Sequence, residues 1–398
     1  MKKIVVTGNM GYIGPRVVRH LRRAFPSAHL AGYDCGYFAP CLVDRDLLPE
    51  SVLDRQYFGD MRSAPPAPVT TADTIVHLAG ISDDLVASQF EKVTFDVNAD
   101  ATFELARQAK ANGAKSFVFA SSCSVYGSAE EGVPHSEESE MDPFTAYAKS
   151  KIAAEERLKL LADDVFRVTC LRFATACGFS PRLRLDLLLN DFTAVAYKDR
   201  AIQILSDGTP WRPLIHVDDM ARAVEWAATR SNGPAFLAIN TGSDSWNWQV
   251  RDLADAVAKR FAGTTVRVNP NAAQEKRSYR VDFSLFRKLA PVHQPRMSLE
   301  ETIDGLAEGL EQGSYRDEKQ SWRFSRAKFV SHLVEKRHLG KDLRWITNPN
   351  GADSILDLTL GMSEGLLKLG DALRASIPRP VPQSTMLQQN TKECQPPQ

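Results

Sequence analysis

The 398-residue chain lacks any bias of charge: 49 Lys and Arg face 49 Asp and Glu, for a formal net charge of zero. Neither nucleic acid nor an anionic membrane surface is therefore expected as a partner, since both recruit proteins through an excess of cations. Long apolar runs are missing too, and none reaches the roughly 18 residues that a membrane span needs. Met1 to Val6 has the basic and then apolar start of a leader. Thr7, Gly8 and Asn9 break that run far short of an h-region, and a cytoplasmic location is the default. Cysteine is sparse, with six residues at 35, 41, 123, 170, 177 and 394. They form no C-x-x-C pair and no Cys/His cluster of zinc spacing, so no metal is expected and the thiols are read as reduced.

What is present is an alternation of strand and helix. Residues 3–7 are a short β-branched run, followed at once by Gly8-Asn9-Met10-Gly11-Tyr12-Ile13-Gly14 and by a helical period over 16–25 with Val17, Val18 and Leu21 on one face. A glycine loop between a strand and a helix lets backbone N–H groups approach a pyrophosphate at the positive helix end. The spacing is G-x-x-G-x-x-G rather than G-x-G-x-x-G. A second strand over 29–33 ends at Asp34, twenty residues after Gly14, where a carboxylate suits the adenosine ribose hydroxyls. No arginine follows it to receive a 2′-phosphate, which favours NAD over NADP. Further strands are expected at 56–58, 74–78 and 116–120, a proline-rich loop at 64–69, and a helix at 95–111 carrying Asn98. Asp60 and Met61 follow the third strand, with Asp60 placed to reach adenine. Leu78, Ala79 and Gly80 close the fourth, where backbone would pass beneath a cofactor. The pattern is α/β, with a doubly wound parallel sheet of Rossmann type.

Tyr147 and Lys151 are four residues apart in a segment, 146–161, rich in Ala, Lys, Glu and Leu. On a helix they share one face. An ammonium beside a phenol favours the phenolate, which suits proton exchange with a sugar or alcohol hydroxyl. Tyr315 and Lys319 repeat the spacing without the surrounding pattern.

The strand at 116–120 leads into Ser121-Ser122-Cys123-Ser124-Val125-Tyr126-Gly127. The ordered set of Thr-Gly-x-x-Gly-x-x-Gly, Asp34, Asp60, His77-Leu78-Ala79-Gly80, Ser-Ser-x-x-Val-Tyr-Gly and Tyr147-x-x-x-Lys151 resembles the extended short-chain dehydrogenase/reductase family, specifically its NAD-dependent nucleotide-sugar epimerases and dehydratases, over residues 1–310. The resemblance implies Tyr147 as acid/base on the sugar 4-hydroxyl. It implies Lys151 as a ligand of the nicotinamide ribose that lowers the tyrosine pKa, and Ser122 as a hydrogen-bond partner of the same hydroxyl. NAD would lie along Gly8 to Gly14, Asp34, Asp60, Met61, Leu78, Ala79, Gly80, Asn98 and Ser121. The 4,6-dehydratases carry Asp and Glu directly after the catalytic Ser or Thr, whereas here Cys123 and Ser124 stand in those positions, as small residues do in the epimerases. Cys123 is read as a buried, inert thiol.

For the substrate half, the resemblance implies a nucleotide-diphosphate sugar held by Ser122, Cys123, Ser124, Tyr147, Arg182, Asn190, Arg212 and one of Arg277 and Arg280, with Arg277 preferred. Guanidinium groups suit a diphosphate because their donors match its oxygens. His216 is read as a packed structural histidine, and Asp218 and Asp219 as caps of the helix that follows. The expected organisation is an NAD-binding domain at 1–170 to which 205–245 returns, a smaller mixed α/β substrate lobe at 171–310, a helical extension at 311–376 and a disordered tail at 377–398. Basic and aromatic residues interleave over 315–344, with Trp322, Phe324, Phe329 and Leu333 read as an amphipathic cover packed on the core. A homodimer is expected. The activity expected is epimerisation at C4. A 4,6-dehydratase, 4-keto reductase or dehydrogenase of the same family is the alternative, and an NAD-binding scaffold without turnover is the alternative of another class.

Overall fold

β-branched and aromatic runs of four to seven residues, each bounded by turns, make the strands. They are β1 (Lys3–Thr7), β2 (His29–Asp34), β3 (Arg55–Phe58), β4 (Thr74–His77), β5 (Ser116–Ser122), β6 (Arg167–Phe173), the three-residue β7 (Thr175–Cys177), β8 (Ala201–Ile204), β9 (Trp211–His216), β10 (Phe236–Thr241), the three-residue β11 (Asn247–Gln249) and β12 (Thr265–Val268). The α-helices are α1 (Gly14–Ala24), α2 (Ala67–Thr70), α3 (Asp84–Gln89), α4 (Glu91–Phe95), α5 (Thr102–Ala111), α6 (Ala146–Lys159), α7 (Leu188–Asp199), α8 (Val217–Thr229), α9 (Val250–Arg260), α10 (Ser284–Leu289), α11 (Leu299–Gln312) and α12 (Arg326–Glu335). The computed structural model describes residues 2–44, 48–127, 133–269, 278–312 and 321–346.

Seven strands form one parallel sheet in the order β10-β6-β5-β4-β1-β2-β3. Successive side chains of a strand point to opposite faces, and β1 shows it: Ile4 and Val6 join the core under α1 and α8, while Val5 joins the core under α5 and α6. Both faces are thus covered, as a parallel sheet requires. A three-stranded sheet, β11-β9-β7, and a two-stranded one, β12-β8, build the smaller lobe.

Several expectations change in detail. The helix expected over 95–111 is interrupted: α4 runs into a π-helical turn at Asp96–Ala101 before α5 begins. The proline-rich stretch at 64–69 is not all loop, because residues 67–70 form the short helix α2. The cap of α8 is His216, whose Nδ1 accepts the Asp218 N–H at 3.1 Å. Asp218 is instead forked by Arg16, and Asp219 accepts the backbone N–H groups of Arg296 and Met297. Among the described residues, the extension is helical through Glu335. Arg337 and Leu343 adopt left-handed backbone, and the chain doubles back so that Leu339 bridges Trp345. Phe329, Val330, Leu333, Leu339 and Leu343 pack with Cys41, Val86 and Val93 in a third apolar cluster, so the extension does cover the core. Arg277, Tyr315, Lys319 and the tail at 377–398 lie outside the described residues.

A buried polar chain fixes α6 against the sheet. Ser121 Oγ donates to Glu155 at 2.5 Å, Glu155 pairs with Arg172 at 2.7 Å, Arg172 donates to the Tyr126 hydroxyl at 3.0 Å, and Tyr126 donates to Asn240 Oδ1 at 2.6 Å. Removing one member strands a desolvated charge. Glu155→Ala is expected to cost about 3–5 kcal/mol in urea unfolding, with Glu155→Ala/Arg172→Met recovering much of it.

Acid should also destabilise the fold through two histidines. Burial lowers the pKa of His77 to about 3 and that of His216 to about 4. Both stay neutral when folded, so the unfolded chain binds the extra protons below about pH 6.5 and stability falls from there toward the folded values. Unfolding curves between pH 6 and 4 should therefore be less steep in pH for His77→Gln than for the parent, by up to about 1.4 kcal/mol per pH unit.

Candidate active site

The strands β1 to β6 all deliver their carboxyl ends to one side of the sheet, where ligands of such folds collect. A cleft of about 870 Å³ opens there, within the usual size of a cofactor or ligand site. Gly8 forms its floor with φ at +70°, and a Cβ on it would lie 2.5 Å from the Ala79 nitrogen. A Cβ on Gly14 would collide with the Asn9 backbone. Helix α1 starts at that glycine with no side-chain cap and no acidic residue in its first turn. Pro15 has no N–H and Arg16 donates to the Ile13 carbonyl, which leaves the Gly14 amide to meet an anion at the positive helix end. Asp34 stands at the end of β2, with one carboxylate oxygen accepting the Met10 N–H at 3.0 Å and the other the Gly36 N–H at 2.7 Å. Burial raises its pKa, and those amides oppose the rise. A cradle of backbone donors followed by an aimed carboxylate fits a dinucleotide with a free ribose 2′-hydroxyl.

Across the cleft, α6 begins at a Thr145 cap and presents Tyr147 and Lys151 one turn apart. Lys151 Nζ donates to the Ala120 carbonyl at 2.8 Å and lies 5.5 Å from the centre of the Tyr147 ring. Burial lowers the lysine to about 8, against the pull of Glu155. Tyr147 keeps part of its surface open to the cleft, yet the protein around it pushes the phenol up to about 12. The leading group that favours the phenolate is Ser122, through a hydrogen bond, and not Lys151. The expected cation-driven lowering of Tyr147 is corrected accordingly: the lysine is tied to a carbonyl, and desolvation dominates the phenol.

The structure brings together in this cleft Gly8, Gly11, Tyr12, Ile13, Gly14, Asp34, Asp60, Met61, Leu78, Ala79, Gly80, Ser121, Ser122, Ser124, Tyr147, Lys151 and Arg212. Burial disfavours the Asp60 carboxylate, but hydrogen bonds from Arg62 outweigh it and hold the pKa below the ordinary range.

Other expected ligands stand behind the wall. Asn9 is buried and donates to Gln56 at 2.7 Å, while Met10 contributes its backbone to Asp34. Asn98, in the π-helical turn, clasps Ile81 through both its N–H and its carbonyl and reaches Ser150 at 2.9 Å. It positions the loop after β4. Cys123 is fully buried, donates to the Arg172 carbonyl at 3.1 Å, and is pushed up by burial, as an inert thiol is. Cys123 and two further expected substrate ligands thus do not line the cleft. Arg182 is buried in a two-pronged pair with Glu50 at 2.6 and 3.0 Å. Asn190 is buried on the Gly178 N–H, the Tyr12 hydroxyl and the Arg184 carbonyl.

Sequence reasoning missed Arg184, Asp186, Asp191 and Arg326, all of which line the cleft. Arg184 pairs with Asp186 at 2.8 Å and lies 3.5 Å from Asp83. Pro181-Arg182-Leu183-Arg184 is not regular structure, so no period tells which arginine faces inward. Arg326 belongs to the extension, over which the motif pattern is silent.

A model described as the NAD dependent epimerase/dehydratase family matches residues 4–242. A dTDP-glucose 4,6-dehydratase of Streptomyces griseus is 28% identical over 284 residues, covering 70% of this chain and 85% of that protein. UDP-glucose 4-epimerase 2 of Oryza sativa subsp. japonica is 31% identical over 256 residues, 56% of this chain and 60% of that one. Among solved structures, MoeE5 in complex with UDP-glucose and NAD superposes with a TM-score of 0.65 at 25% identity, covering 78% of this chain and 99% of that one. The family match runs through the glycine turn and the Tyr147 helix alike and spans more than half of the residues, so the chain belongs to the NAD-dependent epimerase/dehydratase family.

Proposed function

We propose that the chain is a nucleotide-sugar 4-epimerase. One observation carries the reading: Tyr147, Ser122 and Lys151 meet at the cleft wall, while the two positions after Ser122 hold a buried thiol and a serine instead of an acid pair. The relative named UDP-glucose 4-epimerase and the MoeE5 complex with UDP-glucose support a nucleotide-diphosphate sugar as substrate.

NAD, held along the glycine turn, Asp34 and Lys151, would supply a hydride acceptor and donor for the sugar C4. The chain does the rest. Tyr147 takes the 4-hydroxyl proton and later returns it, Ser122 shares a hydrogen bond with the phenol and orients it, and Lys151 keeps a cation beside the ring. Burial raises the phenol above its ordinary value, and the positive charge of a bound nicotinamide would oppose that rise. Arg212, on β9, faces the same cleft and supplies charge for the diphosphate.

A dehydratase outcome has one observation of its own. Asp191 lines the cleft, and burial, with Asp186 next, raises it to about 6. Such a carboxyl is a fit general acid.

Incubation with UDP-, GDP-, CDP- and dTDP-sugars should yield a C4 epimer by NMR with no net NADH. A 4-keto-6-deoxy product in its place would move the assignment to the dehydratase. Tyr147→Phe should lower kcat by about 10²–10⁴ while the cofactor still binds, and a variant keeping near-parental kcat would remove the tyrosine from its role.

A further inference from the structure

Helix α12 lies beyond the stretch that the family model matches, yet its first residue lines the cofactor cleft. Arg326 is 4% exposed. Its guanidinium rests on Phe38, 4.1 Å from the ring centre, and donates once, from Nη2 to the Arg182 carbonyl at 3.2 Å. Nη1 is buried and has no hydrogen-bond partner among the described residues. Asp186, the carboxylate best placed to neutralise it, accepts the backbone N–H of Arg326 at 2.7 Å and gives its other oxygen to Arg184. Arg182 is committed to Glu50. A buried cation without a counter-charge is costly unless something anionic meets it.

The surroundings say what that anion is. Phe38 is four residues past Asp34, the ribose anchor, and both line the cleft. Tyr12, in the glycine turn, is tied to the same wall: Ser180 Oγ donates to its carbonyl at 2.6 Å, and Asn190 holds both its hydroxyl and the Arg184 carbonyl. Arg326 thus lines the same cleft as Asp34 and the glycine turn, the two features that the phosphates of a dinucleotide bridge. Gly8 to Gly14 contains no lysine or arginine, and Arg16 is locked on Asp218. The turn offers amides and no full charge.

We propose that Arg326 is a ligand of the cofactor's pyrophosphate, supplied by the C-terminal extension across the cleft from the glycine turn. A guanidinium there adds charge-assisted hydrogen bonds to those of the amides. The proposal is independent of which sugar carbon reacts.

Full-length Arg326→Met, stripped of nucleotide, tests it by calorimetric binding. NAD and ADP should each bind about tenfold or more weakly than to the parent, adenosine and UDP should change less than twofold, and the melting temperature without ligand should hold or rise, because an isolated charge has gone. Arg326→Lys keeps the charge and should fall between. Should Arg326→Met fail to fold, Arg326→Lys alone decides: it must weaken NAD and ADP while sparing adenosine. Unchanged NAD affinity overturns the proposal. So does an equal loss for adenosine with a lower melting temperature, which would mark Arg326 as packing only, and so does a loss confined to UDP, which would assign it to the substrate's diphosphate.

Discussion

The site depends on one close approach of main chain to main chain. The first turn after β1 passes so near the strand end at Ala79 that no side chain fits between them at Gly8. That contact sets the depth of the cleft and brings the opening amides of α1 level with the loop after β4. The turn, Asp34 and Gly80 then hold fixed relative positions because each sits at the end of a strand hydrogen-bonded into one sheet. A rigid floor of this kind lets the opposite wall, made by α6 and the smaller lobe, determine the chemistry.

That wall is held by polar groups bonded to one another behind it. Asn98 clamps the loop after β4 and touches α6 through Ser150. A π-helical turn at this point re-aims a side chain that a regular helix would place elsewhere. Glu155 and Arg172, one turn and one strand behind Lys151, anchor the helix that carries Tyr147 and Lys151. Interactions of this sort raise specificity of position rather than net stability, since desolvation offsets much of their attraction. Arg182 and Asn190 belong to the same class, and their residue types suggested ligands because arginine and asparagine are equally suited to both tasks.

How far the sequence could be read depends on the range of each signal. β1, the glycine turn, Asp34 and the helix of Tyr147 and Lys151 are local patterns, and a strand with its turn reveals itself within ten residues. The inward face of Arg184 against the outward burial of Arg182 is decided by Glu50, more than 130 residues away, and by a loop without periodicity. The lysine's effect on Tyr147 is hard to read for a similar reason: spacing shows that two groups are near, but not that the ammonium also donates to the Ala120 carbonyl or that burial dominates the phenol. The extension was legible as an amphipathic cover and opaque as a wall of the site, because what it covers is 240 to 300 residues distant in the chain.

The stretch of that extension after its helix is fastened beside Asp34. Trp345 donates its indole N–H to the Cys35 carbonyl at 2.7 Å, next to Asp34, and Tyr37 is bonded to the Leu343 carbonyl. An indole tied to the residue next to Asp34 is a fluorophore in a fixed place at the cleft wall. The chain thus carries a native optical gauge of whether this turn of the extension is seated, readable without any added label.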